Sequence, residues 1–209
     1  MLDLRAPALR RERGVRLSGE AYRREFRERD AAVRDRDSWK LERRQHFEEQ
    51  GSPSRDALSR GDWVESLRLM EERRENLLAV AREDERRNSL FHRVRVVEQP
   101  LTPYLQWELH SLRQQAKCGM PVRVVGAGLV TSSESDGLLP ELVVLGGDVL
   151  YQVLYTESGV PDGAVRHTDP EVIGDWESYI KYLYRAGEDV MSYFDREVAH
   201  LPPPTPKAD

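Results

Sequence analysis

The sequence is poor in the residues that usually announce chemistry. It holds one cysteine, Cys118, in 209 residues, so no internal disulfide framework can form and a reducing compartment is expected. It has no run of about 18 apolar residues, the length a membrane-spanning helix needs. The first thirteen residues carry arginine but lack the apolar stretch of a secretory signal, and a cytoplasmic location is expected. Lysine is scarce, 4 against 28 arginines, and isoleucine and asparagine occur twice each. That depletion of AT-rich codons points to a GC-rich genome, so the arginine excess alone argues little for phosphate binding, although guanidinium suits that task.

Motifs are also lacking. There is no phosphate-binding P-loop, no Gly-x-Gly-x-x-Gly opening a helix, no Cys-x-x-Cys, no His-Glu-x-x-His and no Gly-x-Ser-x-Gly. Gly126 and Gly128 follow a short strand, but no third glycine opens a helix. The five histidines (His46, His92, His110, His167 and His200) are scattered, so no zinc site follows from spacing. Cys118 falls at a helix C-terminus, where the dipole disfavours a thiolate. No cofactor, metal ligand or catalytic residue is assigned, which favours a non-enzymatic role.

Charge is what the chain has in quantity. Charged residues make up 33% and apolar residues 39%, with a net charge of −5. Residues 1–100 hold 24 basic against 21 acidic side chains, and residues 101–209 hold 8 against 16. With both signs mixed in the first half and acid dominating the second, direct nucleic-acid binding is disfavoured.

Residues 1–17 read as a flexible arm, 18–200 as a single α+β domain and 201–209 as a Pro-rich tail. Ser18 caps an expected helix running to about Asp37. Trp39, Leu41 and Phe47 share one parity against Lys40, Glu42, Arg44 and His46, which predicts a half-buried strand. Gln50-Gly51-Ser52-Pro53 ends it. Asp62 and Glu65 form a capping box for a helix of about 25 residues, 63–88. A strand over 91–97 follows, then a helix capped by Thr102, opened by Pro103 and closed at Gly119. Its face is Leu105, Leu109, Leu112 and Ala116. A strand over 121–125 leads to a Gly/Ser-rich loop, and 141–145 and 149–155 around Gly146-Gly147-Asp148 predict a hairpin. Asp169 and Pro170 open a last helix reaching about His200. The expected fold is α+β: a mixed or antiparallel sheet of about five strands including the C-terminal hairpin, packed with helices, among them long N- and C-terminal ones.

Arginines on alternating strand positions are the main candidate site. Arg93 and Arg95 share a strand face, Arg44 lies on the polar face of the first predicted strand and Arg123 on the third, and the four would line one surface if those strands are neighbours. Four guanidiniums on one surface would recognise carboxylate or phosphate; internal pairing with Glu42, Glu98 and Glu108 is the alternative. Glu108, Glu141 and Asp148 are a candidate carboxylate cluster, the alternative being that Glu108 pairs with an arginine and Asp148 only makes a turn. Tyr104 and Trp107 begin the helix after Arg95. Trp107 stands off the leucine face, either as an exposed binding anchor or packed on a strand.

The segments Trp39-Lys-Leu-Glu-Arg-Arg44, Gly61-Asp62-Trp63 and Arg93-Val-Arg-Val-Val-Glu-Gln-Pro-Leu-Thr-Pro-Tyr-Leu-Gln-Trp-Glu-Leu109, with 139–155 and the Asp169-Pro170 helix start, resemble an actinobacterial domain-of-unknown-function family, number 6879, over roughly residues 20–195. The block 93–109 is the most specific part. Cys118-Gly-Met-Pro121 stands where the family tends to be acidic, and Leu142 and Val144 where aromatics are usual. The resemblance carries no catalytic residue. It implies companionship with helix-turn-helix transcriptional regulators and small acidic partners. The expected function is regulatory or protein-interacting, with such a regulator as partner; the alternative is an enzyme or sensor for a small molecule or phosphate ester with an Arg-lined pocket. The sequence leaves homodimerisation open.

Overall fold

The strands that alternation marks most clearly form the middle of the sheet. A computed structural model describes residues 5–135 and 137–205. Its strands are β1 (Val15–Leu17), β2 (Ser38–Glu42), β3 (Phe91–Val97), β4 (Val122–Gly126), β5 (Glu141–Leu145), β6 (Val149–Tyr155), β7 (Pro161–His167) and β8 (Glu188–Asp189). They make one mixed sheet in the order β1-β7-β6-β5-β2-β3-β4-β8. The neighbours β2, β3 and β4 run parallel, and every other pairing is antiparallel. The helices are α1 (Gly19–Ala32), α2 (Pro53–Ser59), α3 (Trp63–Glu72), α4 (Arg74–Arg86), α5 (Pro103–Lys117), α6 (Pro170–Ala186) and α7 (Val190–Glu197). The parallel pairs follow from the crossovers: α2, α3 and α4 link β2 to β3, and α5 links β3 to β4.

The α+β class and the five expected strands are present, although the first, expected from Trp39 to Phe47, ends at Glu42 and leaves Arg44 outside it; the sheet has eight strands, not about five. The three additional ones have little local signal. β1 and β8 are three and two residues long. β7 opens Pro-Asp-Gly, residues depleted in strands, and is held by β6 on one side and β1 on the other.

Helix lengths also differ from expectation. The N-terminal helix is not long: it stops at Ala32, and Val33 is already extended. The helix expected over 63–88 breaks at Arg73. From Glu71 to Asn76 the chain has no apolar side chain, so nothing holds the next turn to the core and α4 leaves it. The helix expected to run to His200 breaks at Gly187, where a Cβ would stand 3.0 Å from Arg123 Cβ and 3.1 Å from the Val124 carbonyl. That approach lets β8 pair with β4 before α7 begins.

The two faces of the sheet are covered differently. On one face Leu41, Val94, Val96 and Leu142 pack under Ile173, Trp176, Ile180 and Leu183 of α6. On the other, Val97, Val122 and Val124 lie under α5 and α7, through Leu105, Leu109 and Phe194. Further along that second face, Val143, Tyr151 and Ala164 lie under Tyr22 and Phe26 of α1. Between these two helical layers runs the strip of β2 and β3 that carries Lys40, Glu42 and Arg93.

Candidate functional site: a charged cleft between two helical layers

Because side chains alternate along a strand, the parallel register Lys40↔Arg93 and Glu42↔Arg95 puts four charged groups on one patch. Two cations thus stand side by side, an arrangement that costs stability unless something neutralises it. Glu42 does so in part. Its carboxylate accepts from Lys40 Nζ at 2.6 Å and from Arg93 Nη1 at 3.1 Å. Burial would raise the Glu42 carboxyl, but Arg93, Lys40 and Arg95 outweigh it and bring it down to about 2. The carboxylate therefore stays ionised, and the Lys40–Glu42–Arg93 group carries one net positive charge. Lys40 and Arg93 remain 25% and 21% exposed at the side chain. Among the described residues neither makes a second ion pair.

These two cations sit where two depressions meet. The larger, of about 660 Å³, is walled by the loop from Glu49 to Ser54, by Glu72 and Arg73 at the end of α3, and by Trp107, Glu108 and Ser111 of α5. The smaller, of about 370 Å³, is walled by Tyr22, Arg23 and Phe26 of α1 and by Val143, Val153 and Tyr155 of the sheet. Lys40 and Arg93 line both. Each volume lies in the usual range of small-molecule sites.

Arg95 has another task. It is fully buried. Its Nε donates to Glu108 Oε2 at 2.7 Å, and its Nη1 donates to the Val96 and Glu42 carbonyls at 3.1 and 3.3 Å. Its Nη2 has no partner among the described residues. Burial raises the Glu108 carboxyl even against the pull of Arg95. Where β2 leaves the sheet, Glu141 replaces the missing ladder: its carboxylate accepts from the Arg43 and Arg44 amides at 3.0 and 2.6 Å. Burial lifts Glu141 to about 7, against those amide bonds, which lower it.

The remaining sequence candidates separate. Arg123 faces α6 and lies over the Tyr184 ring, so it does not join Arg93 and Arg95. Arg44 donates to the Thr156 and Glu157 carbonyls and lies over Tyr155. Asp148 pairs with Arg36 at the exposed hairpin turn, far from Glu108 and Glu141. Tyr104 is buried and donates to Glu49 at 2.9 Å. Trp107 is buried too, packing with Phe47, Leu58 and Met70 and donating to Ser54 Oγ at 2.9 Å; it is an anchor of the fold and a wall of the cleft. Sequence reasoning left Lys40 and Glu42 out of the site. Their strand parity with Arg44 was visible, but not their register with Arg93.

Fold and cleft together define an α+β protein with a mixed sheet and an open, two-lobed, charge-lined site. A family model described as "Domain of unknown function (DUF6879)" matches residues 24–195. That span covers most of the chain, and the protein belongs to this family. No curated protein matches it.

Proposed function

We propose that this protein is a regulatory sensor whose cleft binds a small anionic molecule. The observation that supports it is the in-register pair Lys40 and Arg93, held by one shared carboxylate at the junction of two open depressions. The neighbouring buried cation Arg95 has a carboxylate of its own in Glu108, whereas Lys40 and Arg93 share Glu42 beside open space. Here donor capacity is left over, on a guanidinium suited to bidentate recognition of carboxylate or phosphate. The test is thermal denaturation against a panel of phosphates, carboxylates and nucleotides. The expected result is a rise in Tm with at least one anion, absent in Arg93→Gln. No rise with any anion overturns the reading.

A second reading, compatible with the first, is that the protein works by docking a protein partner, with a helix-turn-helix transcriptional regulator as the class implied by the family resemblance. Helix α4 favours it. Asp84 is its one buried residue, Val80 is 44% exposed, and Leu77 and Leu78 belong to no core cluster. Calorimetric titration with a helix-turn-helix regulator of that class is expected to give micromolar binding that Val80→Asp abolishes. Heat-silent mixing at those concentrations would count against it.

A further inference from the structure

The two lobes of the cleft differ in chemistry, and the difference narrows the ligand. The larger lobe carries both signs: Arg73 lines it together with Glu42, Glu49, Glu72 and Glu108. The smaller lobe has no carboxylate among its lining residues. Its charged groups are Arg23, Lys40 and Arg93, and the rest of its lining is mainly apolar or aromatic. Arg23 is exposed at its mouth and makes no ion pair among the described residues. Tyr22 and Phe26 are braced edge-on against each other and, with Tyr151 beneath them, form one aromatic cluster. An apolar pocket whose every ionic group is positive is complementary to a molecule with an apolar body and an anionic end. Inorganic phosphate or a sugar phosphate would leave the aromatic wall unused.

We propose that the ligand is a small amphipathic acid, its anionic group on Lys40 and Arg93 and its ring or short acyl chain against Tyr22, Phe26, Val153 and Tyr155. This rests on the reading that the cleft binds an anion, and adds the class of molecule. At about 370 Å³ the lobe suits one ring system better than a long chain.

The experiment uses the full chain, with 8-anilinonaphthalene-1-sulfonate as a fluorescent amphipathic acid and phenylacetate, acetate and inorganic phosphate as competitors. The expected result is saturable binding of one dye per protein. Phenylacetate should displace it at least tenfold more effectively than acetate or phosphate. Arg93→Gln and Val153→Trp, the second filling the lobe, should each weaken the dye at least tenfold. Arg23→Glu, on an exposed residue with no ion pair among the described residues, serves where Val153→Trp fails to fold, and the same weakening is expected. If phenylacetate is no better than acetate, and phosphate binding depends on Arg93 while Val153→Trp and Arg23→Glu change nothing, the amphipathic class is wrong and the anion site stands. Dye binding that is unsaturable or indifferent to all three variants overturns the proposal. No binding of any anion overturns the anion site as well.

Discussion

Arg93 and Arg95 are two residues apart on one strand face, yet burial gives them opposite roles. Arg95, with no exposed surface, holds Glu108 and the carbonyls where β2 ends. Removing it strands a buried carboxylate, so Arg95→Ala is expected to cost about 3–5 kcal/mol, read from urea unfolding. Arg93→Gln takes one of two cations from the buried Glu42 carboxylate; because Lys40 still pairs with it, the expected cost is about 1–3 kcal/mol, less than for Arg95→Ala, while anion binding is removed. Glu141 gives the molecule a pH signature. Its carboxyl is raised from 4.5 to about 7 in the folded state, so its contribution to stability is fully present below pH 4.5 and is lost as pH rises through 7. The loss is on the order of 3 kcal/mol. His110 acts oppositely: burial lowers it from 6.5 to about 4, and its contribution is lost as pH falls through that window. Subtracting the Glu141→Gln variant cancels the histidine. The wild-type advantage over that variant should shrink between pH 4.5 and 7 and then level off; a pH-independent difference would contradict the assignment.

Among the elements, those with strong local signals were legible. Thr102, Pro103 and Gly119 bracket α5 as their chemistry dictates, and the Gly146-Gly147 hairpin forms with both glycines at positive φ. What escaped depended on distant partners. β7 lacks a strand signature because Gly163 interrupts it, yet that glycine is what β1 requires: at φ +73 an added Cβ would lie 2.2 Å from the Leu17 carbonyl. Gly163→Ala is therefore expected to strip β1 from β7 and destabilise the fold by several kcal/mol, seen as lost hydrogen-exchange protection at Val15 and Leu17. The break at Gly187 escaped for the same kind of reason, whereas the apolar gap from Glu71 to Asn76 was a local sign of the break at Arg73. Helical periodicity continues across Gly187, and only the approach of β4 turns the chain there. The candidate site was half legible: Arg93, Trp107 and Glu108 line the cleft, while Lys40 and Glu42 join only through the parallel register of β2 on β3.

In the whole molecule, the cleft exists because the second sheet face is covered from its two ends by helices that do not meet. α1 comes from the start of the chain, and α5 and α7 from its middle and end. A ligand spanning both lobes would touch both layers, so binding is expected to protect α1 and α5 amides together in hydrogen exchange. Protection confined to one layer would place the ligand in one lobe alone.

The sheet's margins carry a separate consequence. Its outermost strands are β1 and β8, three and two residues long, and they flank the longer β7 and β4. Such short borders offer little template for another strand. Continuation of one sheet into the next between two copies is therefore disfavoured. Deleting residues 1–18 would uncover the full length of β7, and concentration-dependent aggregation is the expected result. The three residues of β1 thus shield the edge of β7.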